Sequence, residues 1–220
     1  MTAETGWQDL SLGLFRRLRA ELVRSVDGLD DAALLWAPSP GANPIGWLVW
    51  HVARAQDRDL SEVMAAEQLW LTDGWADHFH LPADARDTGH GHSPAQAAAF
   101  RAPGAADLLA YQAAVHDRAE RYLADAPAGD PARVVTSPTL RDDHTVQKRL
   151  QGLLTDSLAH VGQIALLRGL LPGRLPARSG NRPSDIPHPS GPAAPNGLAR
   201  PSSSRTSSRT VSRTSSRQRA

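Results

Sequence analysis

Three side chains with metal-ligating chemistry fall on two helical patterns of the sequence. Asp156 and His160 are four residues apart, so on a helix they project from one face about one turn apart and can hold a single ion. His51 interrupts an apolar stripe on an earlier helical segment. If the two stripes are buried against each other, one Asp and two His meet inside a helical bundle. Three N/O ligands with an open fourth position are typical of a catalytic metal site.

The same residues also have simpler interpretations. A single His on a helix stripe is more often a hydrogen-bonded structural residue, and an Asp–His pair at this spacing is commonly a weak surface interaction. The long segment between the patterns adds two His-x-His pairs, His78 with His80 and His90 with His92. Such pairs could bind metal on a strand, but no strand is indicated there. We expect these histidines to cap the mouth of a bundle pocket instead.

Two long helices are predicted in the first third of the chain. The first runs from about Trp7 to Val26, with an apolar stripe at i+4 spacing formed by Leu10, Leu14, Leu18, Leu22 and Val26. The second starts at Pro44 behind Asn43, an N-cap followed by proline at the first helical position. Charged residues are assigned to the outer side of this helix, namely Arg54, Asp57 and Arg58.

Two more long helices follow a long connection at residues 68–103. A short helix from Pro94 to Phe100, capped by Ser93, interrupts that connection. The third long helix is predicted over 108–123, and the fourth begins at Thr145 and ends near 171, with Val134-Val135 briefly extended between them. Four long helices in about 170 residues are most economically an all-α four-helix bundle.

Composition divides the chain into two parts. Residues 174–220 hold nine Arg, one Asp and seven Pro but no aromatic residue, so they carry +8 and leave about −7 for residues 1–173. The first part is long enough for one domain with a buried core, whereas the tail cannot bury enough apolar surface and is predicted to be disordered. The arginine-rich tail could bind phosphate, but it has no aromatic residues to stack bases, so nucleic-acid binding is not expected.

The sequence has no cysteine, which excludes a disulfide framework, a thiolate zinc site and a cysteine nucleophile. Any thiol chemistry therefore needs a thiol brought in as a substrate. The first ten residues lack the basic and apolar regions of a secretory signal, and the apolar stretch 45–52 is too short to span a membrane. We expect a cytoplasmic protein.

Four segments together carry a resemblance to a known family. Residues 44–57 (PIGWLVWHVARAQD) and 156–169 (DSLAHVGQIALLRG) resemble the two metal-bearing helices of the DinB superfamily. The link 68–79 (QLWLTDGWADHF), with 87–93 (DTGHGHS) beyond it, is similar to the actinobacterial branch that contains mycothiol-dependent enzymes of the maleylpyruvate isomerase type. The resemblance covers about residues 7–172.

This resemblance implies a DinB four-helix bundle with one divalent ion held by His51, Asp156 and His160. Zinc is the first expectation, with nickel, iron or manganese as alternatives. Many DinB proteins have a second histidine where this chain has Asp156, and the maleylpyruvate isomerase type has Glu. The side chain of Asp is one methylene shorter than that of Glu, so either the helix lies closer to the ion or a water molecule bridges the carboxylate and the ion.

The resemblance also implies a function for the ion. A thiol in the open position, with mycothiol as the expected cosubstrate, is deprotonated and attacks an electrophilic small molecule or starts an isomerisation. Trp47 and Gln163 are the predicted cosubstrate contacts, although for Trp47, as for Trp50, Trp70 and Trp75, the spacing favours a role in core packing over ligand contact. Arg168 is assigned to the surface. A hydrolase that activates water, a non-catalytic metal-binding stress-response module and a homodimer remain open.

Overall fold

The protein is described by a computed structural model over residues 6–173, so the predicted disordered tail lies outside the described residues. Four long helices carry the fold: α1 (Trp7–Val26), α3 (Ile45–Met64), α7 (Ala105–Asp125) and α8 (Val146–Leu170). Both α1 and α3 pack against α7 and α8. The predicted all-α bundle is therefore confirmed.

Short elements connect the long helices. They are α2 (Asp31–Leu34), α4 (Leu69–Thr72), α5 (Trp75–His78), α6 (Pro94–Ala99), a 3-10 helix (Asp130–Ala132) and two strands, β1 (Val134–Ser137) and β2 (Asp142–Thr145). The strands pair antiparallel, with Val134 opposite Thr145 and Ser137 opposite Asp142. The predicted extended pair Val134-Val135 is the start of β1. The sequence Asp-Asp-His-Thr of β2 lacks the apolar alternation that marks a strand, so β2 was not predicted.

Capping side chains set two helix starts; the Ser93 cap was predicted, whereas Thr145 is the N-cap of α8 and not its first residue. Thr145 accepts a hydrogen bond from the backbone N–H of Lys148 at the start of α8, and Ser93 forms a capping box with Gln96 at the start of α6. The start of α3 differs by one residue. Pro44 has an extended ψ of 154° and is itself the N-cap, so the helix begins at Ile45.

The apolar stripe assigned to α1 is only partly correct. Leu18, Leu22 and Val26 are buried, but Leu10 and Leu14 are exposed. A series at i+4 drifts by about 40° per step around a helix with 3.6 residues per turn. Over the four steps from Leu10 to Val26 the stripe therefore leaves the core-facing side.

The assignment of Arg54, Asp57 and Arg58 to an outer side of α3 is wrong, because all three are buried. Asp57 accepts hydrogen bonds from the backbone N–H groups of Leu69 and Trp70 at 2.9 and 2.8 Å. The segment after α3 thus folds back over the helix, and partnered charges become part of the core. Within residues 6–173, none of the helices combines the length and the apolar character that a membrane span requires.

Candidate metal centre

Asp156 lies between the imidazoles of His51 and His160. Its Oδ2 is 3.7 Å from Nε2 of His51, and its Oδ1 is 3.4 Å from Nε2 of His160. One ligand atom from each residue can be chosen so that all three lie within 4.8 Å of one another. Ligands about 2.1 Å from a tetrahedral zinc ion are about 3.4 Å apart. The three side chains, here called the triad, are thus close enough to share one ion after small adjustments.

The triad comes from two packed helices. His51 lies on α3, and Asp156 and His160 lie one turn apart on α8. The two imidazole rings meet edge to face at 89°, with their centroids 4.8 Å apart. His51 is buried, whereas 46% of the Asp156 side chain is exposed. The triad therefore lies at the edge of the core, where a ligand from solvent can reach it.

The outer nitrogen of each imidazole is held by a hydrogen-bond acceptor. Nδ1 of His51 lies 2.5 Å from the carbonyl oxygen of Thr88, and Nδ1 of His160 lies 2.9 Å from Oε1 of Gln163. A carbonyl can only accept, so each Nδ1 carries a proton, and in the neutral form of each ring the lone pair of Nε2 is directed toward Asp156. Two lone pairs and a carboxylate that face one another repel unless a cation lies between them. The donor set therefore fits a divalent ion. The hydrogen bonds of Nδ1 to Thr88 and Gln163 are of the kind that usually orient metal-binding imidazoles.

The triad residues also influence one another's protonation. When Nε2 of these rings also carries a proton, it donates to Asp156, and such hydrogen bonds, from His160 first and then from His51, hold the pKa of the Asp156 carboxyl well below its usual range. Asp156 in turn raises the pKa of His160 above its ordinary value. A metal ion must displace the proton that these groups share, so its affinity should fall as the pH falls.

Trp47 supports the triad from within the core. Its ring stacks on His51, with the centroids 5.0 Å apart and the planes inclined by 4°. Its Nε1 donates to Nδ1 of His92 at 3.3 Å, and Nε2 of His92 lies 3.0 Å from Oδ1 of Asp87. This chain of contacts ties α3 to the segment that carries Thr88. Trp47 thus contacts a triad residue directly, and its predicted contact with a cosubstrate stays a prediction.

Gly89 is needed for that segment to approach α3. Its φ of +83° is in the left-handed region, and a Cβ atom there would lie 2.7 Å from Trp47 and 2.9 Å from Trp50. Only glycine satisfies both the backbone conformation and the close contact. The position of the neighbouring Thr88 carbonyl, which holds His51, depends on this fit.

A cavity of about 350 Å³ opens beside the triad. His51 and Asp156 form one end, and α3, α8, the β1–β2 hairpin and the Thr88 segment form the walls. His90 lines the cavity, as expected for a histidine at the pocket mouth, and so does His144 from β2. The cavity gives a small molecule access to the open side of the triad.

The remaining histidines of the long segment do not join the triad. His78 pairs with Asp107 on the surface at 2.7 Å, and His92 contacts Trp47. Among residues 6–173, the triad is the one group of three or more potential metal ligands. Gln163 is exposed and contacts His160, and Arg168 donates from the surface to the carbonyl oxygen of Asp27 at 3.0 Å.

Sequence reasoning missed the roles of Thr88 and of the buried charges on α3. Thr88 acts through its backbone carbonyl, which leaves no signature in the side-chain sequence. The flanking glycines at 89 and 91 are the signal that could have indicated a tightly folded segment against the helix.

Comparisons with known proteins identify the family. The model of the DinB superfamily matches residues 14–164. A solved structure, the conserved protein of locus from Enterococcus faecalis, matches with a TM-score of 0.67 and 26% sequence identity, covering 75% of this chain and 96% of that one. No curated protein gives a significant match. Because the family model covers more than half of the sequence, the chain belongs to the DinB superfamily.

Proposed function

We propose that the protein is a metal-dependent enzyme in which His51, Asp156 and His160 hold one divalent ion and a low-molecular-weight thiol is the cosubstrate. The observation that carries this proposal is the geometry of the triad. Three ligand atoms lie within 4.8 Å of one another, and two of the three residues, His51 and Asp156, border a cavity of about 350 Å³. Three protein ligands beside an accessible cavity leave room for a substrate ligand, the arrangement of catalytic metal sites.

The chemistry that such an ion supplies is the stabilisation of a thiolate over a thiol at neutral pH. The protein residues position the reactants. Thr88 and Gln163 fix the orientation of the two imidazoles, and the exposed carboxylate of Asp156 faces the cavity from α8. Because the chain has no cysteine, the sulfur nucleophile must come from the cosubstrate. We propose mycothiol for this role on the resemblance of residues 68–79 and 87–93, and transfer of sulfur to an electrophile or an isomerisation as the reaction.

Metal content tests the first half of the proposal. Purified protein supplied with zinc, nickel or cobalt should retain about one ion per chain after gel filtration, as measured by elemental analysis. The variants His51→Ala and His160→Ala should lose the ion, whereas His78→Ala should retain it, because His78 is an exposed histidine paired with Asp107. Wild-type protein that stays metal-free would refute the proposal.

Thiol binding tests the second half. The cobalt-loaded protein should develop a sulfur-to-cobalt charge-transfer band when mycothiol is added, and its midpoint of thermal unfolding should rise. A protein that holds cobalt but shows no such band with any thiol would contradict thiol activation. Release of product from ester or amide substrates by that protein would then favour hydrolysis, and no reaction would favour a metal-binding module.

A further inference from the structure

The cavity beside the triad has a second, cationic end. Arg58 lies seven residues after His51 on α3, and Arg149 lies seven residues before Asp156 on α8. Seven residues are about two turns, or about 10 Å along a helix. Since His51 is near Asp156 and Arg58 and Arg149 both line the same cavity, α3 and α8 run antiparallel and present their arginines at one end.

The space between the two ends is not filled by side chains. Ala55 and Gly152 line this middle part of the cavity, on α3 and α8 respectively. A Cβ atom added to Gly152 would have no neighbouring atom within 4 Å. A small molecule can therefore extend from the triad to the cationic end.

Lys148 stands at this end without a counter-charge. It is exposed, and no ion pair involves it in the part of the chain that the structure describes. It is also the only lysine in a sequence in which every other basic residue apart from histidine is arginine. Its ammonium group is a mobile point charge that can reach a bound anion.

The arginines behind Lys148 retain unused donors. Arg149 is buried and donates from Nη2 to Oδ1 of Asp142 at 2.6 Å, but its Nε is buried without a hydrogen-bond partner. Arg58 donates from Nε to Oδ1 of Asp59 at 2.9 Å. Each guanidinium has five N–H donors, so these pairings leave capacity for another acceptor.

The charge balance of the cavity points to the ligand, and this step rests on the proposed function. The lining contains three cationic side chains, Arg58, Lys148 and Arg149, and three carboxylates, Asp59, Asp142 and Asp156. With a divalent ion at the triad, the lining carries two excess positive charges, of which a thiolate neutralises one. We propose that the small molecule occupying this cavity carries an anionic group, a carboxylate or a phosphate, that binds Lys148 with Arg149 and Arg58 behind it.

The test compares two thiols of equal length with the cobalt-loaded full chain, 6-mercaptohexanoate and 6-mercaptohexanol. We expect the carboxylate to bind about tenfold more tightly at low salt, with the preference shrinking as salt is added. Lys148→Gln should lose most of the preference, and Lys148→Arg should keep it. The surface variant Arg17→Gln serves as the charge control, because Arg17 pairs with Glu21 on α1.

The single lysine allows a second test without mutation. Acetylation of its amine removes the charge, whereas reductive methylation retains it, and both reagents modify the chain's α-amino group equally. Acetylated protein should lose the preference and methylated protein should keep it. Stronger displacement of 6-mercaptohexanoate by inorganic phosphate than by acetate would identify a phosphate site, and the reverse order a carboxylate site.

The outcomes separate the two proposals. Equal affinity of the two thiols for the wild type would overturn the anionic site and leave thiol activation intact. If neither thiol gives a charge-transfer band, thiol activation fails, and the anionic site is then tested by calorimetric titration of glutarate and phosphate into metal-loaded protein. Binding that acetylation abolishes would support the site, and the absence of binding would overturn it.

Discussion

The indole ring of Trp47 lies parallel to the imidazole of His51, with the ring planes inclined by only 4° and the centroids 5.0 Å apart. This contact fixes the plane of the imidazole, and the hydrogen bond of Nδ1 to the carbonyl of Thr88 then directs Nε2 toward Asp156. The candidate metal ligand is therefore oriented by an aromatic residue four positions earlier on the same helix.

Trp47→Leu should weaken metal binding. Loss of the stack and of the hydrogen bond to His92 leaves His51 less well oriented, and removal of such supporting contacts typically lowers metal affinity by about 10–100-fold. Competition with a chromophoric chelator measures the change. Trp75→Phe, which alters a tryptophan outside the triad's contacts, should leave the affinity unchanged; an equal loss in both variants would show a general effect on the core.

Gly89→Ala should destabilise the fold more than Gly91→Ala. Both glycines have φ near +80°, but a Cβ atom at Gly89 collides with Trp47 and Trp50, whereas one at Gly91 has no atom within 4 Å. We expect about 1 kcal/mol for the backbone strain at either position and about 1–3 kcal/mol more at Gly89 for the overpacked contact. Urea unfolding of the two variants measures the difference. Equal midpoints would mean that the segment around Gly89 can move away from Trp47 and Trp50 without loss of stability.

Asp57→Ala should be severely destabilising. The carboxylate is fully buried, accepts a hydrogen bond from Tyr111 at 2.9 Å, and lies 3.6 Å from both Arg54 and Arg118. Removing it leaves the buried guanidinium of Arg54 without its carboxylate, which typically costs about 3–5 kcal/mol. Chemical unfolding checks this, with the exposed Asp77→Ala as the control, for which little change is expected.

His116 should make the protein less stable as the pH falls. Burial lowers its pKa below the ordinary value of 6.5, and its Nδ1 is buried without a partner. The unfolded chain takes up a proton near that ordinary value while the folded protein resists it, so the contribution is complete above about pH 6.5 and is lost as the pH falls through the lowered pKa.

The variant His116→Gln isolates this effect. The free energy of unfolding should depend less on pH below 6.5 in the variant than in the wild type, as measured by urea titrations at several pH values. His78→Gln, at an exposed position, should follow the wild-type curve. A variant whose pH dependence stays as steep as that of the wild type would exclude His116 as the source.

Local spacing predicted the long helices, and local spacing together with the resemblance to the DinB helices predicted the three triad residues. The i,i+4 relation of Asp156 and His160 and the apolar run around His51 are visible along the chain itself. The carbonyl of Thr88 and the burial of Arg54 and Asp57 depend on an irregular segment folding over α3. No periodicity reports such a contact, and a rule that places charges outside is misleading where each charge has a buried partner.

The two helices that carry the triad are far apart in sequence, since His51 and Asp156 are separated by most of the bundle. An N-terminal fragment that ends before α8 contains His51 but neither Asp156 nor His160, so it lacks two of the three triad ligands. Coordination by all three triad residues requires that α3 and α8 have packed against each other. The absorption spectrum of cobalt bound by the triad would thus report on folding. It should be absent from intermediates in which α8 is not yet packed on α3 and should appear when that packing forms.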